Sequence, residues 1–314
     1  MKINIAISIG DINGIGPAIA LKAHNSIKKI CNPIYFADYS LFEDAAKILK
    51  IDLPSNLSTV FLDLEHTINP ARATKISGLY SYVSFIKSLE YIKKGKCNAV
   101  VTLPINKEAW KLADIQYKGH TELLREHYNT DAIMMLGCEK MFVALFTEHI
   151  PLKIVHKMVK KEPLVKFLIN LQKEISAKKI AVLGLNPHAG DGGVLGNEEV
   201  EIKKAIEEAN SMLGKKVFYG PMVPDIAFSP KVRESFKYFV AMYHDQGLAP
   251  LKALYFEESI NISLNLPIIR TSVDHGTAYD IAYKDISTIS TKSYIEAVKA
   301  SVKLAKTKLS ATRR

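Results

Sequence analysis

Short apolar runs rich in β-branched residues alternate with helical patterns along the chain, and this alternation narrows the possible folds more than any other feature. Strands that are apolar on both faces and alternate with helices are typical of a largely parallel sheet with helices on its two sides. The sequence therefore predicts an α/β protein. The apolar runs cover residues 3–9, 33–38, 59–64, 98–103, 132–137, 141–147, 179–185, 239–243 and 260–266. The helical patterns cover residues 16–29, 40–50, 78–95, 106–113, 121–127, 161–176, 198–212 and 291–309.

The number of elements exceeds what one simple sheet holds. With 314 residues and no internal repeat, low-complexity tract or Pro/Ser-rich linker, the chain is expected to form one catalytic unit of two closely joined lobes. The predicted architecture is two-lobed, with mostly parallel sheets and a cleft between the lobes. The lobes are expected at roughly residues 1–120 plus 240–314 and at residues 121–239.

The charge balance restricts the class of partner. The chain has 42 basic and 32 acidic side chains, a net charge of +10, which suits nucleic acid, an anionic membrane surface or a small anionic substrate. Aromatic residues are not interleaved with the lysines as a base-stacking platform requires, so nucleic-acid binding is only a remote alternative. No apolar run approaches the roughly 20 residues of a membrane helix, and we expect no membrane association.

The cysteines indicate the compartment. Cys31, Cys97 and Cys138 are widely spaced and form no CxxC pair, so we expect buried thiols in a reducing environment. The first residues lack a small-residue cleavage site, and we read no signal peptide there. These observations favour a cytoplasmic protein.

Polar clusters follow several of the apolar runs at their C-terminal ends. His149, His188 and His244 each occupy such a place, after residues 141–147, 179–185 and 239–243. The carboxyl ends of parallel strands meet at one edge of a sheet, so this placement would bring three imidazoles together. Three imidazoles with an open fourth position suit a catalytic zinc or similar divalent ion. Alternatively, each histidine forms separate hydrogen bonds at its own loop. Four other histidines are expected at the surface, namely His24, His66, His127 and His156.

Other strand-end residues suit an anion. Gly14-x-Gly16-Pro17 could cradle one at a helix N-terminus, although it is not the G-x-G-x-x-G of a Rossmann site. Gly190-Asp191-Gly192-Gly193 is either a flexible turn or a loop that faces a ligand. His120 and Thr121 could cap a helix or donate to phosphate, and Lys252 and Arg270 could clamp phosphate or carboxylate or be ordinary surface cations. No G-x-S-x-G elbow supports nucleophilic catalysis.

Several of these segments together resemble the 4-hydroxythreonine-4-phosphate dehydrogenase family. They occur in order across nearly the whole chain, and NPHAGDGG, AMYHDQGL and RTSVDHGTA are the most specific of them. The matching segments are SIGDINGIGPAIA (8–20), VTLPINK (101–107), GHTELL (119–124), ALFTEHIPL (144–152), GLNPHAGDGG (184–193), GNEE (196–199), GPMVPD (220–225), AMYHDQGLAPLK (241–252) and NISLNLPIIRTSVDHGTAYDIA (261–282).

The resemblance implies a fold similar to isocitrate and isopropylmalate dehydrogenases, and a homodimer whose site is shared between subunits. Carried over by position, His149, His188 and His244 match the ligands of one divalent ion, which could be zinc, magnesium or cobalt. The segment Asp274-His275-Gly276-Thr277 resembles a loop that contacts NAD(P). The positions that match substrate-binding residues are His120, Thr121, Lys252, Asn261 and Arg270.

The implied reaction is the NAD(P)-dependent oxidation of 4-phosphohydroxy-L-threonine to a 3-oxo acid. This acid decarboxylates to 3-amino-2-oxopropyl phosphate in pyridoxine 5′-phosphate biosynthesis. Asp245 and Lys107 are the candidates for the group that takes the hydroxyl proton. A related dehydrogenase acting on 4-phospho-threonate or 4-phospho-erythronate is the alternative. The chain departs from the family pattern at Ile12, Ala18 and Leu103, where the family has Pro, Glu and Gly.

Overall fold

The computed structural model describes residues 2–312, with side chains through Ser310, and two compact units are present. Unit 1 comprises Met1–Thr130, Ile260–Ile262 and Leu266–Arg314, and unit 2 comprises Asp131–Ser259 and Ser263–Asn265. Residues 121–130 lie in unit 1, with residues 1–120, although the sequence predicts them in the lobe 121–239. Residues 240–259 lie in unit 2, although the sequence predicts them in the same lobe as residues 1–120.

Unit 1 contains a sheet with strand order β2-β1-β3-β10-β9, in which β2, β1, β3 and β10 are parallel. Its strands are β1 Asn4–Ser8, β2 Asn32–Phe36, β3 Ala99–Thr102, β9 Ile260–Leu264, whose last two residues belong to unit 2, and β10 Arg270–Val273. Its helices are α1 Gly16–Ile30, α2 Tyr39–Leu49, α3 Lys75–Lys93, α4 Lys107–Leu112, α5 His120–Tyr128, a 3-10 turn Ile286–Thr288 and α12 Lys292–Thr312.

Unit 2 contains strands in the order β4-β5-β8-β6-β7, with β4 antiparallel to β5 and the others parallel. The strands are β4 Ile133–Cys138, β5 Met141–Leu145, β6 Ile180–Leu183, β7 Phe218–Met222 and β8 Tyr238–Ala241. The helices are α6 Leu152–Met158, α7 Lys161–Ile175, a 3-10 segment Pro187–Gly193, α8 Glu198–Met212, α9 Pro224–Ala227, α10 Pro230–Ser235 and α11 His244–Tyr255.

The apolar pattern explains why these elements pack as they do. Ile5 and Ile7 of β1 are fully buried, and so are most neighbours on β3, because helices cover the strands of unit 1. In unit 2, Leu248 and Leu251 project from α11 onto a cluster that includes Val143 and Phe239. Full burial of a large aliphatic side chain contributes roughly 1.5–3 kcal/mol. These clusters fix the strands, and the strand ends then position the loops.

The predicted fold class is confirmed, since both units are α/β with mostly parallel strands. The predicted strand at residues 59–64 is wrong: Thr59 forms one isolated bridge with Tyr35, and the backbone then turns through Asp63 at φ 58°. Helix α11 is missing from the helices predicted from the sequence, and Pro250 lies inside it. Strands β7 and β10 were also missed.

The prediction that His24 lies at the surface is wrong. Its side chain is fully buried, and its two ring nitrogens lie 2.9 Å from the Tyr35 hydroxyl and 2.8 Å from Asn56 Oδ1. Cys31, Cys97 and Cys138 are free and buried, as expected. Across residues 2–312, none of the helices combines the length and the apolar character that a bilayer crossing needs.

Candidate active site

The C-terminal ends of β1, β3 and β10 lie at one edge of the sheet in unit 1, because the three strands are parallel. The loops that follow them are joined by backbone hydrogen bonds. Asp11 N–H donates to Pro104 O at 2.8 Å, and Ile15 N–H donates to Thr277 O at 3.0 Å. Ligands bind at this edge in parallel sheets, since loops and helix N-termini converge there.

Gly14 and Gly16 are required by close approaches within unit 1. A Cβ at Gly14 would lie 2.9 Å from the Thr277 backbone oxygen, and one at Gly16 would lie 2.4 Å from Ile9 O. Both glycines therefore allow loops to pack, which is a sufficient reason for the motif that the sequence analysis read as a possible anion cradle. The departures from the family pattern at Ile12, Ala18 and Leu103 are buried apolar positions.

Asp38 follows β2, where a Rossmann fold would place a ribose-binding acid. Its Oδ1 accepts from Leu62 N–H at 2.7 Å, and its Oδ2 accepts from the Tyr80 hydroxyl at 2.8 Å. The residue is 3% exposed. Both oxygens are occupied within the protein, which agrees with the absence of a Rossmann fingerprint in the sequence.

Asp11 is a buried carboxylate that is not among the site residues predicted from the sequence. It accepts from the Tyr279 hydroxyl at 2.6 Å and from Asn13 N–H at 2.9 Å. Burial raises the pKa of Asp11, while its hydrogen bonds to Tyr279, Asn13 and Ser77 act in the opposite direction. The residue joins the loop after β1 to the segment after β10, where the cofactor loop is predicted.

Arg270 begins β10 and is only 4% exposed. Its Nη2 and Nε donate to Thr102 Oγ1 at 2.8 and 3.2 Å. Burial lowers the pKa of Arg270 to about 10, so the guanidinium stays charged at neutral pH. A buried cation of this kind attracts phosphate or carboxylate, which guanidinium groups can bind through two parallel hydrogen bonds.

His120 begins α5 and is 7% exposed. Its ring makes edge contacts with Phe85 and Trp110, at centroid distances of 4.5 and 5.6 Å. Burial, and then the charge of Arg270, lower the pKa of His120 well below 6.5, so the ring is neutral at pH 7. Within the described part of the chain, its buried Nε2 has no hydrogen-bond partner, and neither has the buried Oδ1 of Asn261.

Unpartnered buried polar atoms are rare and costly, and a catalytic role is one of the reasons for them. Three of the predicted substrate-binding residues belong to unit 1, namely His120, Asn261 and Arg270. Thr121 is partly buried beside His120 at the start of α5. Lys252 lies in unit 2 on α11, where its Nζ is 5.2 Å from the centroid of the Phe256 ring.

The remaining predicted residues of unit 1 are more open. Lys107 is the first residue of α4 and is exposed, after the N-cap Asn106. In the segment Asp274–Thr277, Asp274 N–H donates to Ser293 Oγ at 3.1 Å, and Gly276 is exposed with nothing within 4 Å of its Cβ position. Thr277 anchors the end of this segment on Gly14 and Ile15.

The three predicted metal ligands all belong to unit 2. His149 follows β5, His244 follows β8 and His188 follows β6. These strands are neighbours in the order β5-β8-β6 and are parallel, so the three loops leave the same edge. The expectation that the histidines follow parallel strands is therefore confirmed.

Hydrogen bonds connect the three strand ends. Thr147 Oγ1 donates to Met242 O at 2.6 Å, which joins the ends of β5 and β8. Gln246 accepts from Met242 N–H and donates to Gly184 O, both at 2.7 Å, which joins the ends of β8 and β6. Neither Thr147 nor Gln246 was singled out from the sequence, although both lie in the family-like segments.

His149 and His244 are neighbours, with ring centroids 5.4 Å apart. The Nδ1 of His244 lies 2.7 Å from Asp245 Oδ1. A carboxylate in this position holds the proton on Nδ1 and leaves the lone pair of Nε2 available to a metal, which is the usual arrangement behind a metal-ligating histidine. Asp245 is exposed, and so is His149.

His188 lies in a left-handed turn. From His188 through Gly192 every φ is between 44° and 79°. A residue with a Cβ costs about 1–2 kcal/mol in a left-handed helix, and His188, Ala189 and Asp191 all carry one. The segment that was read as a flexible turn or a ligand-facing loop is therefore a strained one, and strain of this kind tends to occur at functional sites.

A divalent ion fits the chemistry of this donor set, since imidazoles are preferred ligands of zinc and cobalt and one of them has an orienting carboxylate. Within residues 2–312, however, no three His, Cys, Asp or Glu side chains lie close enough together to hold an ion. The complete three-histidine site therefore stays a prediction.

Comparisons with known proteins agree with the fold. The family model for pyridoxal phosphate biosynthetic protein PdxA matches residues 29–301. The 4-hydroxythreonine-4-phosphate dehydrogenase of Sulfurimonas denitrificans is 56% identical over 96% of this chain and 98% of its own length. That of Helicobacter pylori is 44% identical over 95% of this chain and 98% of its own length.

A solved structure of the same class of enzyme has the same fold. The 4-hydroxythreonine-4-phosphate dehydrogenase of Klebsiella pneumoniae superposes with a TM-score of 0.84 at 28% identity, covering 97% of this chain and 100% of that chain. A terephthalate 1,2-cis-dihydrodiol dehydrogenase from Burkholderia xenovorans shares the fold at a TM-score of 0.67 and 22% identity, covering 96% of this chain and 98% of that chain. Since the family model spans most of the sequence and the relatives align almost end to end, the chain belongs to the PdxA family of pyridoxal phosphate biosynthetic proteins.

Proposed function

We propose that this protein oxidises 4-phosphohydroxy-L-threonine with NAD(P) to a 3-oxo acid, which decarboxylates to 3-amino-2-oxopropyl phosphate in pyridoxine 5′-phosphate biosynthesis. Membership of the PdxA family and the printed names of the relatives support this reaction. The observation that carries it is the buried Arg270 beside His120, whose Nε2 lacks a partner among the described residues. Such a pair suits the phosphorylated end of a substrate.

The substrate contacts follow from the charge and hydrogen-bonding capacity of each group. Arg270 supplies a permanent positive charge in a water-poor position, where ionic hydrogen bonds are stronger than in bulk water. Neutral His120 can donate from Nε2 to a phosphate oxygen, and Thr121 can donate its hydroxyl. The unpartnered Oδ1 of Asn261 can accept from the substrate's hydroxyl or ammonium group. Lys252 adds a cation for the second anionic group.

His149, His188 and His244 would hold one divalent ion, namely zinc, magnesium or cobalt. Such an ion, when bound, lowers the pKa of a coordinated hydroxyl and stabilises negative charge on oxygen. Asp245 supports His244 through the 2.7 Å hydrogen bond to Nδ1. The order of parallel strands supports this assignment, since it brings the three loops to one edge of the sheet in unit 2.

Asp245 and Lys107 are the proposed acceptors of the hydroxyl proton. Both are exposed in the free protein, so either can exchange protons with solvent. Asp245 has a second role in orienting His244, whereas Lys107 has no competing hydrogen bond among those described. A pH–rate profile of Asp245→Asn and Lys107→Met would assign the step, because removing the true acceptor removes its ionisation from the profile.

The segment Asp274–Thr277 would contact NAD(P). Its exposed Gly276 leaves the backbone open, and Thr277 fixes the end of the segment against Gly14. We also propose a homodimer with a site shared between subunits and a cytoplasmic location, the latter because the described cysteines are free thiols.

The test combines metal analysis with a substrate comparison. Purified protein is analysed for bound metal, and NAD(P)H formation is measured with 4-phosphohydroxy-L-threonine, 4-phospho-threonate and 4-phospho-erythronate. We expect the highest kcat/KM with 4-phosphohydroxy-L-threonine, together with release of carbon dioxide. 4-Hydroxy-L-threonine without the phosphate is the matched control and should be a poor substrate. A higher kcat/KM with either sugar-acid phosphate would contradict the proposed substrate.

A further inference from the structure

The left-handed turn His188–Gly192 needs an explanation beyond its two internal glycines. Gly190 and Gly192 adopt positive φ without penalty, but His188, Ala189 and Asp191 do not. Strained backbone of this kind persists only where surrounding groups hold it in place. The groups that hold this turn are therefore candidates for a role in the chemistry of His188.

Glu199 accepts three hydrogen bonds from the two residues that lead into the turn, Leu185 and Asn186. It lies in the first turn of α8 and is 8% exposed. Its Oε1 accepts from the backbone N–H of Leu185 at 2.8 Å and of Asn186 at 2.7 Å. Its Oε2 accepts from Asn186 Nδ2 at 2.9 Å. Three hydrogen bonds to one buried carboxylate fix the two residues that precede Pro187 and His188.

The turn also packs directly against this carboxylate. A Cβ at Gly190 would lie 2.7 Å from Glu199 Oε2, and a Cβ at Gly184 would lie 3.2 Å from Glu199 Oε1. Ala189 N–H donates to Asn186 O at 3.1 Å, so the hydrogen bonds of Glu199 continue into the turn through Asn186. The carboxylate therefore contacts both the start and the middle of the segment.

Stabilisation of α8 does not account for this placement. Acidic side chains favour a helix N-terminus, but Glu198 and Glu201 already supply charge in the same turn. The described hydrogen bonds of Glu199 run to the segment before His188 and not to N–H groups of its own helix. An exposed glutamate would serve the helix equally well, whereas burial of this one serves the turn.

We propose that Glu199 is a positioning residue that holds the backbone of the left-handed turn His188–Gly192, which carries His188 as a proposed ligand of a divalent ion. This inference rests on the proposed function, because it takes His188 as a metal ligand. Both carboxylate oxygens of Glu199 accept hydrogen bonds from Leu185 or Asn186, so we do not assign it as a ligand of the ion. It acts through Asn186 and the turn, so its loss should change the affinity for metal more than the stability of the fold.

The test compares Glu199→Gln with Glu207→Gln, an exposed glutamate on the same helix. The Gln side chain keeps one oxygen for Leu185 and Asn186 but places an amide donor against Asn186 Nδ2. Co²⁺ affinity is measured by titration calorimetry, ligand geometry by the visible absorption of bound Co²⁺, and loop order by amide exchange at Leu185 and Asn186. Thermal unfolding of the metal-free proteins reports the fold.

We expect Glu199→Gln to bind Co²⁺ roughly 10- to 100-fold more weakly, as is usual when a group that orients a ligand is lost. Amide exchange at Leu185 and Asn186 should accelerate, and the Co²⁺ spectrum should change. Glu207→Gln should match the wild type in all three measurements. Gly190→Ala disturbs the contact between the turn and Glu199 from the side of the turn, because its Cβ would lie close to Glu199 Oε2. It should weaken Co²⁺ binding, and it provides a test if Glu199→Gln does not fold.

Two results would overturn the inference, and they differ in what they leave standing. Wild-type affinity and spectrum in a folded Glu199→Gln, or in Gly190→Ala where Glu199→Gln does not fold, would remove the positioning role while leaving the proposed function intact. Failure of the wild-type protein itself to bind any divalent ion would remove the metal from the proposed function and this inference with it.

Discussion

The candidate residues of the two units differ in how far they are exposed to water. In unit 1, Arg270 and His120 are 4% and 7% exposed, and the pKa of each is lowered mainly by burial. In unit 2, the side chains of His244 and Asp245 are 36% and 84% exposed. The first set has lost its water before any ligand arrives, whereas the second set keeps it.

This difference in exposure indicates how each set of side chains binds its ligand. A buried guanidinium with unpartnered polar neighbours is preorganised, so it selects an anion by shape and charge at little further cost on binding. Exposed imidazoles on loops keep their hydration and can exchange it for an ion. Loss of a buried group should therefore alter both stability and affinity, while loss of an exposed ligand should alter function alone.

The largest expected effect concerns the exposed set. His188→Ala should abolish Co²⁺ binding and turnover, because a two-imidazole site binds a divalent ion far more weakly than a three-imidazole site. The free energy of unfolding should stay within about 0.5 kcal/mol of the wild-type value, as is usual for surface substitutions. Calorimetric Co²⁺ titration and urea unfolding check the two statements. His156→Ala, another exposed histidine of unit 2, is the control, and full activity of His188→Ala in metal-stripped buffer would refute the ligand assignment.

The second prediction concerns the buried set. Arg270→Met should lower kcat/KM for the phosphorylated substrate roughly 10²- to 10³-fold, since truncating a buried charged partner costs about 2–5 kcal/mol. Stability should hold or rise, because the desolvation cost of a buried charge is removed. Arg125→Met is the matched control in unit 1. Steady-state kinetics decide, and an unchanged KM and kcat would exclude Arg270 from the site.

The sequence predicted the fold class and the strand-end placement of the histidines, because both depend on hydrophobic pattern and chain order. It placed His149, His188 and His244 after runs that are parallel neighbours in unit 2. The resemblance to the family then supplied roles that spacing alone left open. Periodicity could not find α11, since Pro250 interrupts the pattern while the helix is held by packing of Leu248 and Leu251.

The groups that organise the site were invisible to pattern reading for a physical reason. Asp11 and Glu199 are carboxylates whose meaning comes from distant partners, such as Tyr279 for Asp11. Burial of an acid depends on which segments fold over it, and no local spacing records that. His24 was misjudged for the same reason, because Tyr35 and Asn56 satisfy its ring in the interior.

A third prediction separates stability from function within the buried set. His120→Phe should weaken substrate binding while raising the free energy of unfolding by roughly 1–2 kcal/mol, because the unpartnered Nε2 disappears and the contacts with Phe85 and Trp110 remain. The gap should widen as pH falls below 6.5, since the unfolded wild-type chain then binds a proton that folded His120 does not. Urea unfolding at pH 7 and pH 5.5 checks this, and a gap independent of pH would contradict it.

The smallest effect is expected at Asp11. Its contribution to the free energy of unfolding should fall as pH rises, which is opposite to the contribution of an ordinary surface carboxylate. Burial raises the pKa of folded Asp11 above 3.8, so its contribution to stability is complete below that pH and is lost as pH rises through the folded pKa. Asp11→Asn should therefore gain stability relative to the wild type between pH 4 and pH 7, by on the order of 1 kcal/mol for each unit of pKa difference. Urea unfolding across that range measures the gap, with exposed Asp280→Asn as the matched control. The opposite result would be a free energy of unfolding that rises with pH in the wild type relative to Asp11→Asn. It would mean that the hydrogen bonds from Tyr279 and Asn13 outweigh burial, so that unit 1 holds a stabilised anion at Asp11 as well as the buried cation Arg270.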